Sequence, residues 1–161
     1  MMGPKPASQQ QSPLDAAYRY LSYRPRSEFE MRVWLDRKGF GRRAIDSTLS
    51  TLKAKGLLDD LAFARFWRES RESSSPRSRA ALRRELRQKG IDPDVVAEAL
   101  DGVDEEAAAY RAAQKKAARL GTADHDEFRT KLSAVLRRRG FSYEVTEHTV
   151  NRLWQESVRN A

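Results

Sequence analysis

A repeat of about fifty residues is the feature of this sequence that most limits how the chain can fold. Three segments align with one another: MRVWLDRKGF at 31–40, LRRELRQKGI at 82–91 and LSAVLRRRGF at 132–141. Apolar residues recur eight and four positions before the glycines Gly39, Gly90 and Gly140, and one, ten and thirteen positions after them. Such self-similarity at a fixed period is typical of proteins built from stacked copies of one small unit.

Within each copy the pattern predicts two helices joined by a glycine corner. Spacings of three and four place the apolar side chains on one helical stripe, and a glycine directly after Lys or Arg suits the left-handed conformation that ends a helix. The chain then starts a new helix at once. Ile91-Asp92-Pro93 supplies an apolar staple residue, an N-cap and a proline at the first helical position, and Val96 completes the staple. Ser142 repeats the cap in the third copy.

A further helix precedes each pair. These helices are predicted at Leu14 to Tyr23, Leu61 to Arg71 and about Glu105 to Leu120, with N-caps provided by Ser12-Pro13 and Asp59-Asp60 for the first two. Ser27 with Glu30 makes a capping box at the start of the next helix, and the segment from Ser73 to Pro76 is predicted to be a link.

The sequence therefore predicts an all-α fold of three tandem three-helix repeats of about 50 residues. The repeats are assigned to 12–57, 58–104 and 105–161, and residues 1–11, which mix Pro, Gln, Ser and Gly, are assigned to a disordered N-terminal tail. Because a unit this small buries little by itself, we expect neighbouring units to stack into an elongated array that can curve.

The charge balance points to a polyanionic partner or an acidic protein surface. Lys and Arg number 31 against 23 Asp and Glu, which gives a net charge of +8. There is no cysteine, so disulfides and thiolate metal sites are excluded and a reducing compartment is favoured. No stretch approaches membrane-spanning length, and we expect a cytoplasmic protein without membrane contact.

The sequence offers little for catalysis. His125 and His148 are the only histidines, there is no glycine-rich phosphate loop, and both histidines are interpreted as surface or structural residues. Asp59 and Asp60 lie directly ahead of an apolar helix, where carboxylates act as N-caps, although a metal-dependent hydrolase using this pair is an alternative. We expect a non-enzymatic protein that needs no cofactor and no metal.

Aromatic residues at helical spacing are interpreted as core residues instead of platforms for stacking nucleic-acid bases. They are Tyr18, Trp34, Phe63, Phe66, Trp67, Phe141 and Trp154.

The middle repeat separates positive from negative charge. Residues 65–89 contain nine basic and three acidic residues, whereas residues 92–106 contain seven acidic residues and none that is basic. Such a separation indicates a basic surface beside an acidic one within a single unit.

On a helical wheel with Leu82 at zero, Arg83, Arg87, Arg84 and Arg77 fall on one exposed face. This face is either ordinary solvated surface or a contact site for phosphate or for an acidic protein. Including the other basic clusters, the candidate binding residues are Arg42, Arg43, Arg68, Arg71, Arg77, Arg83, Arg84, Arg87, Lys115, Lys116, Arg137 and Arg138.

A three-helix unit with a sharp turn also suggests a helix-turn-helix, in which the last helix enters the major groove of DNA. In the second and third units that helix carries acidic residues, which phosphate would repel. Only the first unit, with Arg42, Arg43, Lys53 and Lys55, could bind in this way. A stand-alone DNA-binding, transcription-factor-like protein is therefore the alternative function.

The sequence resembles the RecX family of recombination regulators. The similar stretches are AYRYLSYRPRSEFEMRVWLDRKGF at 17–40, GLLDDLAFARFW at 56–67 and LRRELRQKGI at 82–91, and the weaker third copy extends the likeness over about residues 14–157. The Arg-Ser-Glu corner and the Asp-Asp-x-x-Phe-Ala-x-x-Trp run are its most specific parts.

The resemblance implies a negative regulator of RecA that lodges in the helical groove of the RecA–DNA filament. There it would inhibit ATP hydrolysis, strand exchange and coprotease activity, and it would also bind single- or double-stranded DNA weakly. On this basis we expect a monomer whose main partner is the RecA filament. An elongated repeat array with separated charge could bridge successive protomers of such a filament.

Overall fold

The computed structural model describes residues 11–122 and 124–161, which form helices and connecting turns without any strand. The described helices are α1 (Pro13–Leu21), α2 (Glu28–Arg37), α3 (Arg42–Ala54), α4 (Asp60–Ser74), α5 (Arg79–Gln88), α6 (Pro93–Ala99), α7 (Glu105–Leu120), α8 (His125–Arg138) and α9 (Tyr143–Arg159). The all-α prediction is confirmed. The tail predicted at 1–11 lies outside the described residues, apart from Gln11.

The predicted helix starts are confirmed by their caps. A side-chain oxygen accepts a hydrogen bond from a backbone N–H in the first turn at each predicted N-cap, and the Ser27–Glu30 capping box forms in both directions. The capping residues are Ser12, Ser27, Asp59, Asp92 and Ser142.

Two helix ends differ from the prediction. Helix α1 stops at Leu21, where the Ser22 hydroxyl donates to the carbonyl of Arg19 at 2.6 Å, ahead of the extended segment that Pro25 requires. Helix α4 continues past Arg71 to Ser74, so Ser73 and Ser74 belong to its last turn instead of a link. Both serine hydroxyls donate to the carbonyl of Ser70, which satisfies an acceptor near the end of the helix.

The three glycine corners are one structure repeated. Gly39, Gly90 and Gly140 have φ angles of 89°, 77° and 87°, the left-handed conformation that favours glycine. In each corner the glycine N–H and the N–H of the next residue bond back to carbonyls of the last helical turn, as Gly140 does to Arg137 and Phe141 to Leu136. This is the Schellman motif, and it ends each helix sharply enough for the next one to start at once.

Each unit has its own hydrophobic core. The first is formed by α1 to α3, the second by α4 to α6 and the third by α7 to α9, and helix pairs that pack extensively belong to the same unit. The apolar columns of the repeat line these cores: all of their members are buried except Phe40 and Val103, which are half-buried. The structure is thus a row of three small cores, as the tandem-repeat prediction requires.

Neighbouring units meet where the start of the second helix of one unit, α2 or α5, contacts the glycine corner of the following unit. At the first junction the Ser27 hydroxyl donates to the carbonyl of Lys89 at 2.7 Å, and the N–H of Glu28 donates to Asp60 Oδ1 at 2.9 Å. Burial raises the pKa of the Asp60 carboxyl, while the N–H of Glu28 acts in the opposite direction. Asp60 therefore links two units, whereas Asp59 alone caps α4.

The second junction repeats this arrangement. The N–H of Ser78 donates to the carbonyl of Arg139 at 3.1 Å, and the N–H of Arg79 donates to Glu105 Oε1 at 2.9 Å. Ser27 and Ser78 are both buried, and each contacts the corner of the following unit. In both junctions the acceptors are the carbonyl before the corner glycine and a carboxylate from the first turn of the following unit, but the serine donor is a hydroxyl in the first and an N–H in the second.

The third unit differs from the other two at the start of its second helix. Helix α8 starts at His125, four residues earlier relative to its glycine than α2 and α5 do, and Phe128 occupies the position held by Ser27 and Ser78. Its N-cap, Asp124, is exposed. Among the described residues, no glycine corner lies against this extra turn, whereas corners lie against the starts of α2 and α5.

The aromatic residues only partly follow the core prediction. Phe63 and Phe141 are buried, and Trp34 is half-buried against Tyr20, with ring centroids 4.4 Å apart. The prediction that Tyr18 is a core residue is wrong, since Tyr18 is 36% exposed and its hydroxyl accepts a hydrogen bond from Lys55 Nζ. The remaining three, Phe66, Trp67 and Trp154, are half-buried.

Candidate partner-binding surface

The basic residues of α5 divide between two sides of the helix. Arg83, Arg84 and Arg87 are exposed, as the helical wheel predicts, but Arg83 and Arg87 face α6 whereas Arg84 faces the third unit. Placing Arg77 on the same wheel was wrong, because α5 begins at Arg79 and Arg77 lies in the extended segment before it. The residues predicted to form a single basic face therefore border two different grooves.

The larger groove lies at the junction between the second and third units, and we call it the junction groove. It has a volume of about 560 Å³, and the side chains around it come from α4, α5, α8 and the links between them. Six of these side chains are basic: Arg71, Arg77, Arg84, Lys89, Arg137 and Arg138. Five of the six are predicted site residues, brought together from positions up to 67 residues apart in the sequence.

Glu85 organises the floor of the junction groove. Its carboxylate accepts hydrogen bonds from Trp67 Nε1 at 2.7 Å and from Arg71 Nε at 3.1 Å, and its other oxygen lies 3.0 Å from an Arg77 guanidinium nitrogen. One carboxylate therefore neutralises one charge and holds two arginines in place. Each arginine has five donors, so both guanidinium groups keep further N–H groups beyond those used by Glu85, although Arg77 Nε is buried.

Trp67 forms an aromatic wall beside these charges. The Arg71 guanidinium and Lys89 Nζ each lie 5.1 Å from its ring centroid, within the range of cation–π attraction. Such contacts hold long basic side chains in fewer conformations, which lowers the entropy that a ligand must remove on binding.

A second basic groove lies on the other side of the same junction, between the end of α4 and helices α7 and α8. Its volume is about 410 Å³, and Lys115 and Lys116 of the predicted set line it together with Arg111, Arg119 and Arg139. Burial lowers the pKa of the Arg139 guanidinium, and the positive charges of Arg77 and Arg138 lower it further. Positive side chains are therefore crowded around the whole junction.

The candidate residues chosen from the sequence leave out Lys89 and Arg139, which precede the corner glycines Gly90 and Gly140. Their carbonyls are the acceptors at the two unit junctions, and each side chain enters a basic groove. A basic residue directly before a corner glycine is a recurring signal in the repeat, and it could have identified both.

The other predicted residues lie elsewhere. Arg68 donates to the carbonyls of Ala99 and Asp101 at 3.0 and 2.7 Å, so it binds the C-terminal end of α6 inside the second unit. Arg42 and Arg43 are exposed in the first turn of α3, away from the junction groove.

The acidic and histidine residues considered for catalysis occupy separate places. Both histidines are exposed: His125 lies against Trp154 with centroids 4.6 Å apart, and His148 Nδ1 is 3.7 Å from Glu106. Within 11–122 and 124–161, no three His, Cys, Asp or Glu side chains come close enough together to hold a metal ion. None of the helices in that part of the chain is long and apolar enough to cross a membrane.

The fold and the grooves define the class of this protein: an all-helical tandem-repeat protein with basic surfaces at a unit junction. Three family models match it in order, described as RecX, first three-helix domain (residues 14–52), second three-helix domain (59–100) and third three-helix domain (104–149). The chain belongs to the RecX family.

Relatives and solved structures agree with this assignment. A regulatory protein RecX from Prosthecochloris aestuarii is 39% identical over 140 residues, which cover 87% of this chain and 92% of that protein. One from Mycobacterium ulcerans is 38% identical over 131 residues, covering 79% and 76%. The crystal structure of RecX from Lactobacillus salivarius has the same fold, with a TM-score of 0.72 at 23% identity over 88% of this chain and 94% of that one. The family is thus one of regulatory proteins.

Proposed function

We propose that this chain is a negative regulator of RecA, which binds in the groove of the RecA–DNA filament and inhibits its ATPase, strand-exchange and coprotease activities. Membership of the RecX family supports a regulatory role, and the junction groove supports a polyanionic or acidic partner. The observation that carries the proposal is the convergence of six basic side chains on one groove between two units, with Glu85 as the one acid among the residues that line it.

The groove has the character of an anion-binding surface. Arg84, Arg137 and Arg138 are exposed at its rim, while Arg71 and Arg77 are held below by Glu85. Rim charges mainly accelerate encounter with an oppositely charged partner, and pre-positioned guanidinium groups give bidentate contacts to phosphate or carboxylate. Together they suit the surface of a nucleoprotein filament, which presents both.

The tandem array supports binding along a repeating partner. Because the three units are joined through small polar junctions, each can contact a different protomer while the chain holds the contacts together. Several modest contacts then combine through a shared effective concentration.

The test is ATP hydrolysis by RecA on single-stranded DNA in the presence of the purified chain. We expect the rate to fall as the protein is added, and we expect Arg138→Glu to raise the concentration needed for half-inhibition about three- to tenfold, the range for loss or reversal of an exposed charge contact.

Arg37→Glu is the matched control, because Arg37 and Arg138 lie at the same position of the repeat, two residues before a corner glycine, at the end of a helix. The reversal of charge and the loss of a favourable helix-end charge are the same in both variants. Unchanged RecA ATPase at several-fold excess of the wild-type protein contradicts the regulatory proposal. Equal effects of the two variants contradict the assignment of the junction groove.

Stand-alone DNA binding is the second candidate, favoured by the exposed Arg42 and Arg43 at the start of α3. Two other basic residues of that helix region are already engaged: Lys53 Nζ lies 2.8 Å from Glu28, and Lys55 Nζ lies 2.9 Å from the Tyr18 hydroxyl. This candidate requires tight binding to DNA without RecA and a steep dependence on salt concentration. Under our proposal, DNA binding without RecA is weak.

We further propose that the chain acts by binding alone, as a cytoplasmic monomer without cofactor or metal. The structural roles of Asp59 and Asp60 support this, because one caps α4 and the other links two units. A hydrolase using this pair requires thermal stability and activity that respond to divalent ions.

A further inference from the structure

Arg79, Arg83 and Arg87 form one wall of a groove whose floor is apolar. The groove lies between α5 and α6 in the second unit and has a volume of about 290 Å³, and we call it the α5–α6 groove. The three arginines are four residues apart, so they are spaced about 6 Å along the helix. Pro93 and Ala97 are exposed on the opposite side.

Within the described residues, the side chains of the arginine wall form no ion pair, although the backbone N–H of Arg79 donates to Glu105 Oε1. Glu85 is the one acidic residue of α5, and it is bound to Arg71 and Arg77 on the other side of the helix. The Arg87 side chain donates a hydrogen bond to the carbonyl of Ile91 at 3.1 Å. Unneutralised arginines beside exposed apolar surface are an arrangement enriched at protein interfaces.

We infer that the α5–α6 groove binds an acidic amphipathic helical segment of a protein partner. Carboxylates four residues apart on such a segment would match the spacing of the arginine wall, and apolar side chains on the adjacent stripe would enter the groove. The groove volume of about 290 Å³ is at the lower end for ligand pockets. It therefore has room for a few side chains of the partner, whose helical segment would lie across the groove. The inference rests on the proposed function and names the chemistry of its protein contact.

Charge on α6 favours a peptide over nucleic acid at this groove. Asp94, Glu98 and Asp101 are exposed, and each directly follows a residue that lines the groove. Glu98 also lies 3.7 Å from the Arg65 guanidinium of α4. A polyanion running along the arginine wall would be repelled by these carboxylates, whereas a peptide places negative charge only where it meets the arginines. The junction groove has no such acidic border, because Glu85 is already neutralised.

The apolar floor of the groove is a second reason to expect a peptide instead of a phosphate-bearing ligand. Pro93 and Ala97 offer no hydrogen-bond donor to a phosphate oxygen, but they lie over the buried Val96 and Leu100 and continue the core to the surface. Apolar side chains of a partner would therefore be removed from water there, which favours binding.

The experiment measures fluorescence anisotropy of two labelled helical peptides with equal negative charge. One carries glutamates at every fourth position with leucines on the adjacent stripe, and in the other serines replace the leucines. We expect only the leucine peptide to bind, and we expect Arg83→Glu to weaken its binding about tenfold. Ala97→Gln, which fills the floor without changing charge, should weaken it as well. Circular dichroism checks that the variants are folded.

Arg84→Glu is the matched comparison, because it makes the same charge change one residue along the same helix but faces the junction groove. We expect it to leave peptide binding unchanged and to weaken binding of an oligothymidylate probe, on which Arg83→Glu has little effect. Equal binding of both peptides, equal losses in both arginine variants, or displacement of the peptide by oligothymidylate overturns the inference. Unchanged RecA ATPase with the wild-type protein instead contradicts the proposed function, so the two failures are distinguishable.

Discussion

Replacing corner glycines by alanine tests two effects on stability: the cost of a left-handed backbone and the cost of a methyl group that contacts the neighbouring unit. At Gly39 a methyl group meets nothing within 4 Å, whereas at Gly140 it lies 2.6 Å from Ser78 Oγ and 2.8 Å from Ala81 Cβ. Gly90 resembles Gly140, because a methyl group there overlaps the Phe29 side chain. The three positions have the same backbone conformation but different neighbours.

The magnitude follows from two contributions. A non-glycine residue in the left-handed region costs about 1–2 kcal/mol, and alanine recovers about 0.4–1 kcal/mol by restricting the unfolded chain. Gly39→Ala should therefore lower the free energy of unfolding by about 1 kcal/mol. Gly140→Ala adds overpacking against the second unit, about 1–3 kcal/mol, and should lower it by about 2–4 kcal/mol.

Urea unfolding followed by circular dichroism compares the variants, and hydrogen exchange locates the change. In Gly140→Ala we expect faster exchange at the N–H groups of Ser78 and Arg79, which donate across the junction. In Gly39→Ala these amides should stay protected. If Gly140→Ala is no more destabilising than Gly39→Ala, the argument that the corner glycines fit the neighbouring unit is wrong.

Three further changes test individual contacts. Leu86→Ala should lower the free energy of unfolding by about 2–5 kcal/mol in urea titrations, because Leu86 is fully buried in the second core. Arg68→Met should cost about 1–3 kcal/mol by leaving the carbonyls of Ala99 and Asp101 unpaired, while half-inhibition of RecA, corrected for the folded fraction, stays unchanged. Asp60 has a raised pKa, so its protonated form favours the folded state and this stabilisation is lost as the pH rises from about 4 through the raised pKa. Asp60→Asn, which keeps the acceptor for Glu28, should remove that loss from a pH series of thermal unfolding curves; an identical pH profile would show that another group is responsible.

The helix caps and corners could be predicted because each depends on residues close together in the sequence. Ser27 with Glu30, Asp92 with Pro93, and glycine after a basic residue are short-range signals, and each appears in the structure as predicted. The apolar columns likewise follow from helical periodicity alone.

The binding surface could be predicted only in part, because grooves depend on contacts between distant residues. A helical wheel shows that Arg83 and Arg84 are exposed, but it cannot show that α6 lies beside one and α8 near the other. The same limit explains Arg68, whose carbonyl partners are more than thirty residues further along the chain. Its position in a basic stretch of sequence suggested a surface role.

The position five residues before each corner glycine explains why a basic groove forms at one junction in particular. It is occupied by Trp34 in the first unit, Glu85 in the second and Val135 in the third. Trp34 stacks on Tyr20, at an interplanar angle of 4°, and Val135 is buried. Only Glu85 offers a carboxylate to Trp67 and to neighbouring arginines.

This difference links the repeat to the proposed function. The corners and junctions are similar in all units, so residues at the same position of the repeat occupy equivalent places along the array. A different side chain at such a position changes the surface of one unit without changing the fold. An aromatic or apolar residue at that position packs against its own unit, as Trp34 and Val135 do, and offers no charge to neighbouring arginines. A carboxylate instead gathers arginines around itself, and in the second unit those arginines form the floor of the junction groove. Its rim comes from Arg84 of the same unit and from Arg137 and Arg138 of the third. The array therefore does more than lengthen the molecule, since the groove requires two units that differ in sequence but share one backbone.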